Sequence, residues 1–232
     1  CILTLVSVRT VRESGKRAAL LQGMFRGNIA LVGMAIAETL FGAEQTGTMA
    51  IVVAITVPVY NVLAVLALEM FQGGKMPLLR ILKEIATNPL IIGCLCGLIC
   101  NLIGLQIPTL LYSPMDSLAS AATPVALIAL GASFHMERVS ADRRAILVGV
   151  LAKLVFLPLA ALSVGAALGF RGVELGAMAI TFAAPTSVSS FSMAQQMGAD
   201  ADLAASMVVF TGMFSCLTIF LWTFALLRLG LM

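Results

Sequence analysis

Apolar residues run along this chain in long blocks, and charges and turn residues cut the blocks at intervals close to a bilayer's thickness. A spanning helix needs about 20 apolar residues, each rising 1.5 Å, to cross a core of about 30 Å. Cys1–Val8 reads as the tail of a first such helix, in a chain truncated ahead of it. Ala18–Phe41 is a second, interrupted at Arg26-Gly27-Asn28, and Gln45–Leu68 carries no charge at all. The uncharged interval between Glu84 and Asp116 holds a helix from Pro89 to Leu105 and a loop around Pro108. Ser117–Met136, Ala145–Leu168 (broken only by Lys153), Leu175–Ala199 and Leu203–Leu227 complete seven whole spans and one partial. The longest polar interval, Phe71–Ala86, mixes Leu78, Leu79, Ile81 and Leu82 with Arg80, Lys83 and Glu84. That pattern predicts a short amphipathic helix on the membrane surface.

Basic residues give the spans a direction. Arg9, Arg12, Lys16 and Arg17 fall in one loop, Lys75, Arg80 and Lys83 two spans later, and Arg138, Arg143 and Arg144 two spans after that. Arg171 and Arg228 fall on the opposite side. The positive-inside bias makes the basic loops cytoplasmic. The loop Met197–Asp202 belongs with them by count, although it has no lysine or arginine.

Composition removes the alternatives to a membrane protein. Of 232 residues, 60% are hydrophobic and 11% charged, where a soluble domain carries roughly 25% charged residues. Disorder needs low hydrophobicity and high net charge, which this chain lacks. Aromatics are 6% of the residues, and no basic run interleaves with them, so nucleic acid is not an expected partner. The five cysteines make no disulfide framework. Cys96 and Cys100 share a helix face without a histidine nearby, so neither a metal nor a cofactor is expected. The fold class is an all-α, multi-pass membrane helix bundle.

An internal repeat adds detail. Phe25–Val53 can be laid on Phe182–Val209, so that Phe25 falls on Phe182, Asn28 on Pro185 and Ala37-Glu38 on Ala194-Gln195. After one gap, Gly42-Ala43-Glu44 falls on Gly198-Ala199-Asp200. Each copy is one broken span, a tight acidic turn and one unbroken span. Five helices separate equivalent positions, so the copies face opposite ways. Inverted repeats with interrupted helices mark secondary transporters. Gly27 and Asn28 are poor helix residues in the first break. Pro185 in the second lacks an N–H and stands among Thr186, Ser187, Ser189 and Ser190. Unwound backbone in lipid is costly unless it lines a cavity or is buried in protein, and the free N–H groups of a restarting helix favour an anion.

At these residues the sequence resembles the auxin efflux carrier family, within the wider bile-acid/arsenite/auxin-type transporter group. The matching stretches are FRGNIALVGMAIAETLFG (25–42), VPVYNVLAVLALE (57–69), NPLIIGCLCGLICNLIGLQIP (88–108), TPVALIALGASF (123–134), KLVFLPLAAL (153–162) and APTSVSSFSMAQQMGADADLAASMVVFTGMFS (184–215). The resemblance implies ten spans in two inverted five-helix units, with substrate at the crossing of broken fourth and ninth helices. On that pattern residues 1–70 hold the end of span three and spans four and five, 71–88 a cytoplasmic linker of prokaryotic length, and 89–232 spans six to ten. Where the family's first crossover commonly has a proline, this chain has Arg26-Gly27-Asn28.

The implied function is secondary active transport of small organic anions such as malonate, malate or auxin-like carboxylates, by alternating access in the cell (inner) membrane. Asn28 and Pro185 stand at the two crossovers, and Thr186 and Ser187 follow as donors to a carboxylate. Lys153, nine residues past Arg144 and so about 13 Å along a helix, reads as a cation that attracts the anion or pairs with a carboxylate of the missing segment, or as a lysine snorkelling to the cytoplasmic edge. Arg26 raises the same question, and Asn61 follows Pro58 as a pocket candidate. Expected partners are the organic anion, the lipid bilayer, a coupling proton or sodium ion, and a second copy in a homodimer. A sodium-coupled bile-acid-type symporter and a non-transporting receptor or assembly subunit are the alternatives. An enzyme is not expected, because Asp116, Asp142, Asp200 and Asp202 all read as lying between spans and there is one histidine.

Overall fold

Helices follow the apolar runs, and they stop where glycine, asparagine or proline meets a crossing neighbour. The computed structural model describes residues 2–42, 46–71, 83, 86–87, 89–105 and 107–232. Helix α1 covers Ile2–Thr10 and α2 Ser14–Phe25. After a break, a π-helical turn at Ile29–Gly33 runs into α3, Met34–Phe41, and α4 spans Thr46–Glu69. Then come α5 (Pro89–Leu102) and α6 (Thr109–Ala132). Helix α7, Met136–Leu151, passes through a π-helical turn at Ala152–Phe156 into α8, Leu157–Ala167. The second break separates α9, Gly172–Ala183, from α10, Ser189–Gln196, and α11 closes the bundle at Ala201–Arg228. The expected amphipathic helix at Phe71–Ala86, and with it most of the 71–88 linker, lies outside the described residues.

Among the described residues, four helical stretches are long and apolar enough to cross a membrane: Gly47–Glu69, Thr109–Ala132, Met136–Ala167 and Ala201–Arg228. Two boundaries differ from the sequence reading. Helix α6 starts two turns early and takes in Pro114 and Asp116. Helix α7 starts at Met136 rather than Ala145, so Arg138, Arg143 and Arg144 ride on a helical extension beyond the apolar run.

The two ends of the bundle are fixed by contacts between distant loops. At one end Lys16 Nζ donates to Asp142 Oδ1 at 2.9 Å, and the Asp200 N–H donates to the Gly15 carbonyl. Asp202 lies 3.6 Å from His135 and 3.7 Å from Arg138. The loop at Met197–Asp202 therefore belongs to the basic end, as counted, and its aspartates face the bases of its neighbours. At the other end the Gly172 N–H donates to the Leu231 carbonyl, and Gly176 abuts Phe41 and Met232.

These ends give the repeat its sense. Helix α2 leaves the basic end, α3 reaches the opposite end, and α4 returns. Helix α9 leaves the opposite end, α10 reaches the basic end, and α11 goes back. The two units run in opposite directions. Their shared core packs Leu20 and Met24 of α2 against Leu203 and Met207 of α11. Gly23 and Gly149 leave the room that the Met207 side chain fills. Outward faces carry exposed Ile51, Ile55, Leu118, Ile128, Phe156 and Phe220, as a lipid-facing surface requires.

Candidate functional site

The two breaks lie on each other. Gly27 and Thr186 form an antiparallel bridge, the one place where extended backbone pairs among the described residues. The Asn28 N–H donates to the Pro185 carbonyl at 2.7 Å, and the Ser187 N–H donates to the Arg26 carbonyl at 3.1 Å. Each broken helix thus supplies the partners that the other lost. Helix α2 stops because Arg26 turns extended (φ −78°, ψ 104°). Helix α9 stops because Ala184 (φ −54°, ψ 141°) precedes Pro185, which disfavours the helical region for the residue before it.

Two threonine hydroxyls match further backbone groups. The Thr186 hydroxyl, 1% exposed, donates to the Gly23 carbonyl at 2.8 Å. The Thr186 N–H donates to the Thr211 hydroxyl of α11, which donates in turn to the Met207 carbonyl. Gly27 stands in a tight place: a Cβ there would lie 3.2 Å from both Lys153 Nζ and the Thr181 carbonyl oxygen.

Arg26 and Lys153 are both inside. The Arg26 guanidinium is 5% exposed; it donates to Asn61 Oδ1 at 2.6 Å and to the Met193 sulfur. The Asn61 amide donates to Cys94 Sγ at 3.5 Å. Lys153 is 0% exposed, so it does not snorkel to an edge, and its ammonium donates to the Phe25 carbonyl at 3.4 Å. Among the described residues neither cation has a carboxylate within ion-pair distance.

A cavity of about 190 Å³ opens beside the crossing, walled by Arg26, Gly27, Asn28, Tyr60, Asn61, Cys94, Ser187 and Ser189. A second, of about 310 Å³, lies beyond the same Asn28, Ser187 and Ser189 and extends along α10 to Gln196 and across to Thr123 of α6. Four of the seven sequence candidates, Arg26, Asn28, Asn61 and Ser187, therefore line one small cavity. Pro185 and Thr186 are buried in the crossing itself, and Lys153 sits behind it. Tyr60, Cys94, Ser189 and Met193 were not singled out from the sequence. Tyr60 adjoins Asn61, and Ser189 was in the hydroxyl cluster, so both carried a signal. Cys94 and Met193 are ordinary apolar helix residues until the packing brings them to Asn61 and Arg26.

With this geometry in place, comparison with known proteins decides the family. The family model described as membrane transport protein matches residues 1–223. The chain belongs to that family. The resemblance to auxin efflux carriers holds over nearly its whole length. Among curated relatives, an uncharacterized transporter of Methanocaldococcus jannaschii is 25% identical over 211 residues, covering 87% of this chain and 66% of the relative. An uncharacterized transporter of Methanothermobacter thermautotrophicus is 26% identical over 217 residues, covering 92% and 70%. The chain spans about two thirds of the length of the curated relatives it matches. No solved structure matches it significantly.

Proposed function

We infer that the full-length protein is a secondary active carrier for a small organic anion, such as a dicarboxylate or an auxin-like monocarboxylate, bound at the crossing. The observation that carries this reading is Arg26, a buried cation with neutral partners on the wall of a small cavity. A buried charge in a bilayer is costly unless it is paired or wet, and a bound carboxylate supplies the missing charge. The helices restart at Ile29 and Ser189, which both line this cavity, and the N-terminal end of a helix favours an anion. Asn28, Asn61 and Ser187 add neutral donors, while Pro185 and Thr186 keep the crossing open. Residues 1–70 and 89–232 serve as the two inverted units, and rocking of one against the other exposes the site alternately to each side.

A cavity of about 190 Å³ is below the roughly 300 Å³ at which drug-sized pockets begin. Size therefore favours a small carboxylate over a bile-acid-sized sterol. The receptor reading requires continuous spans, and the crossed breaks speak against it.

The test is uptake of labelled mono- and dicarboxylates by the full-length protein in proteoliposomes, under separate proton and sodium gradients. Saturable uptake of one such anion is expected, with Arg26→Gln lowering it at least 10-fold while the protein stays folded. Absence of uptake across the panel, or undiminished uptake by Arg26→Gln, refutes the reading.

A further inference from the structure

Lys153 has a different task from Arg26. It touches neither cavity at the crossing. Its ammonium lies on the carbonyl of Phe25, the last residue of α2, with the backbone of Gly27 against it. The end of α2 is the negative end of a helix dipole, left deep in the protein by the break. Three carbonyls near the break accept from uncharged donors: Gln22 from the Arg26 N–H, Gly23 from the Thr186 hydroxyl, and Arg26 from the Ser187 N–H. Phe25 accepts from a lysine ammonium instead. The lysine reaches it from a π-helical turn, Ala152–Phe156, a local widening that recurs at functional positions.

Broken transporter helices commonly present such C-terminal carbonyls to a coupling cation. The geometry points to Lys153 as a tethered replacement for that cation: its ammonium permanently occupies the C-terminal end of the first broken helix, so that the first break needs no bound metal ion. Lys153 is then a positioning residue, holding the backbone whose neighbours bind the anion, and not a substrate ligand. This deepens the carrier reading, because it makes sodium dispensable at this half of the crossing. It also stands apart from that reading in its test, which measures stability and not uptake.

The test is thermal unfolding of the purified full-length protein in detergent. The wild type should have the same midpoint in sodium chloride as in choline chloride. Lys153→Ala should lower the midpoint by about 5–10 °C. Propylammonium, a cation of the size removed, should recover at least about half of that loss in a saturable manner. Neutral propanol should recover little, because it fills the void without supplying charge. The wild type should respond to neither additive. A sodium-specific rise in the wild-type midpoint overturns the proposal, whether or not the alanine variant folds. Equal recovery by propanol and propylammonium, or no recovery by either, overturns it too. An inactive protein with the expected midpoints would refute the carrier reading and leave this one standing.

Discussion

The backbone N–H of Asn28 donates to the carbonyl of Pro185 at 2.7 Å, and these are the residues that the internal repeat makes equivalent. The pseudo-symmetry of the sequence is therefore realised as direct contact: each unit meets the other at its own break. Reciprocal pairing of this kind lets unwound backbone persist at membrane depth, where an unpaired amide would cost several kcal/mol. It also sets two restarting helices, Ile29 onward and Ser189 onward, on one small cavity.

Thr186→Val tests the mortar of this crossing. Valine keeps the shape and removes the hydroxyl that donates to the Gly23 carbonyl and lies 1% exposed. Leaving a buried carbonyl without its partner costs about 1–3 kcal/mol. The thermal midpoint should fall by roughly 2–12 °C at 2–4 °C per kcal/mol. A midpoint equal to the wild type would show that the hydroxyl contributes nothing.

Glycine substitutions should separate the crossing from the periphery. Alanine at Gly27 would set a Cβ 3.2 Å from Lys153 Nζ and from the Thr181 carbonyl oxygen, so these neighbours must give by a few tenths of an ångström. Gly97 of α5 has nothing within 4 Å of that position, and there alanine should gain up to about 1 kcal/mol of helix propensity. Gly27→Ala is expected to lose stability and transport together, and Gly97→Ala to match or exceed the wild type in thermal unfolding. The reverse order would contradict the packing described.

The Lys16–Asp142 bond ties the first basic loop to the third. The Asp142 hydrogen bond outweighs the opposing effect of burial and holds the Lys16 ammonium above lysine's ordinary 10.5. The sign follows from linkage. A raised folded value means that the stabilisation is fully present below about pH 10.5 and disappears as pH climbs through the folded value. Lys16→Met should cost up to about 1 kcal/mol at pH 7, and its midpoint should converge with the wild type as pH climbs through the folded value. A difference that persists at high pH would assign the effect to packing.

Cys94 offers a direct view of the cavity. It lies against the Asn61 amide and lines the same wall as Arg26, whereas Cys216 faces outward from α11. A small water-soluble thiol reagent should modify Cys94, and a transported carboxylate should slow that reaction several-fold without changing the rate at Cys216. Equal rates with and without the anion would place the anion elsewhere.

Much of this architecture was legible in the chain. Apolar runs of bilayer length, alternating basic loops and two breaks at matched positions gave an all-α bundle with inverted units, because the spacing of charges is set by membrane thickness. Arg26, Asn28, Asn61 and Ser187 could be nominated since polar residues in apolar runs demand partners. Chain order alone left Lys153 between an edge and the interior, and it gave no sign that Cys94 and Met193 would stand beside Asn61 and Arg26.

Proline shows where the sequence stopped deciding. Pro58 lies within α4, and Pro114 and Pro124 lie within α6, all in unbroken helices. Pro185 stands at a true break, and the matching break at Arg26-Gly27-Asn28 has no proline. The sequence by itself determined which segments are apolar enough to span and where a helix is weak enough to yield. Only the tertiary structure decided which weak points open, because an opened helix leaves amides and carbonyls that must find new partners. At Gly27 and Thr186 the two chains provide them to each other.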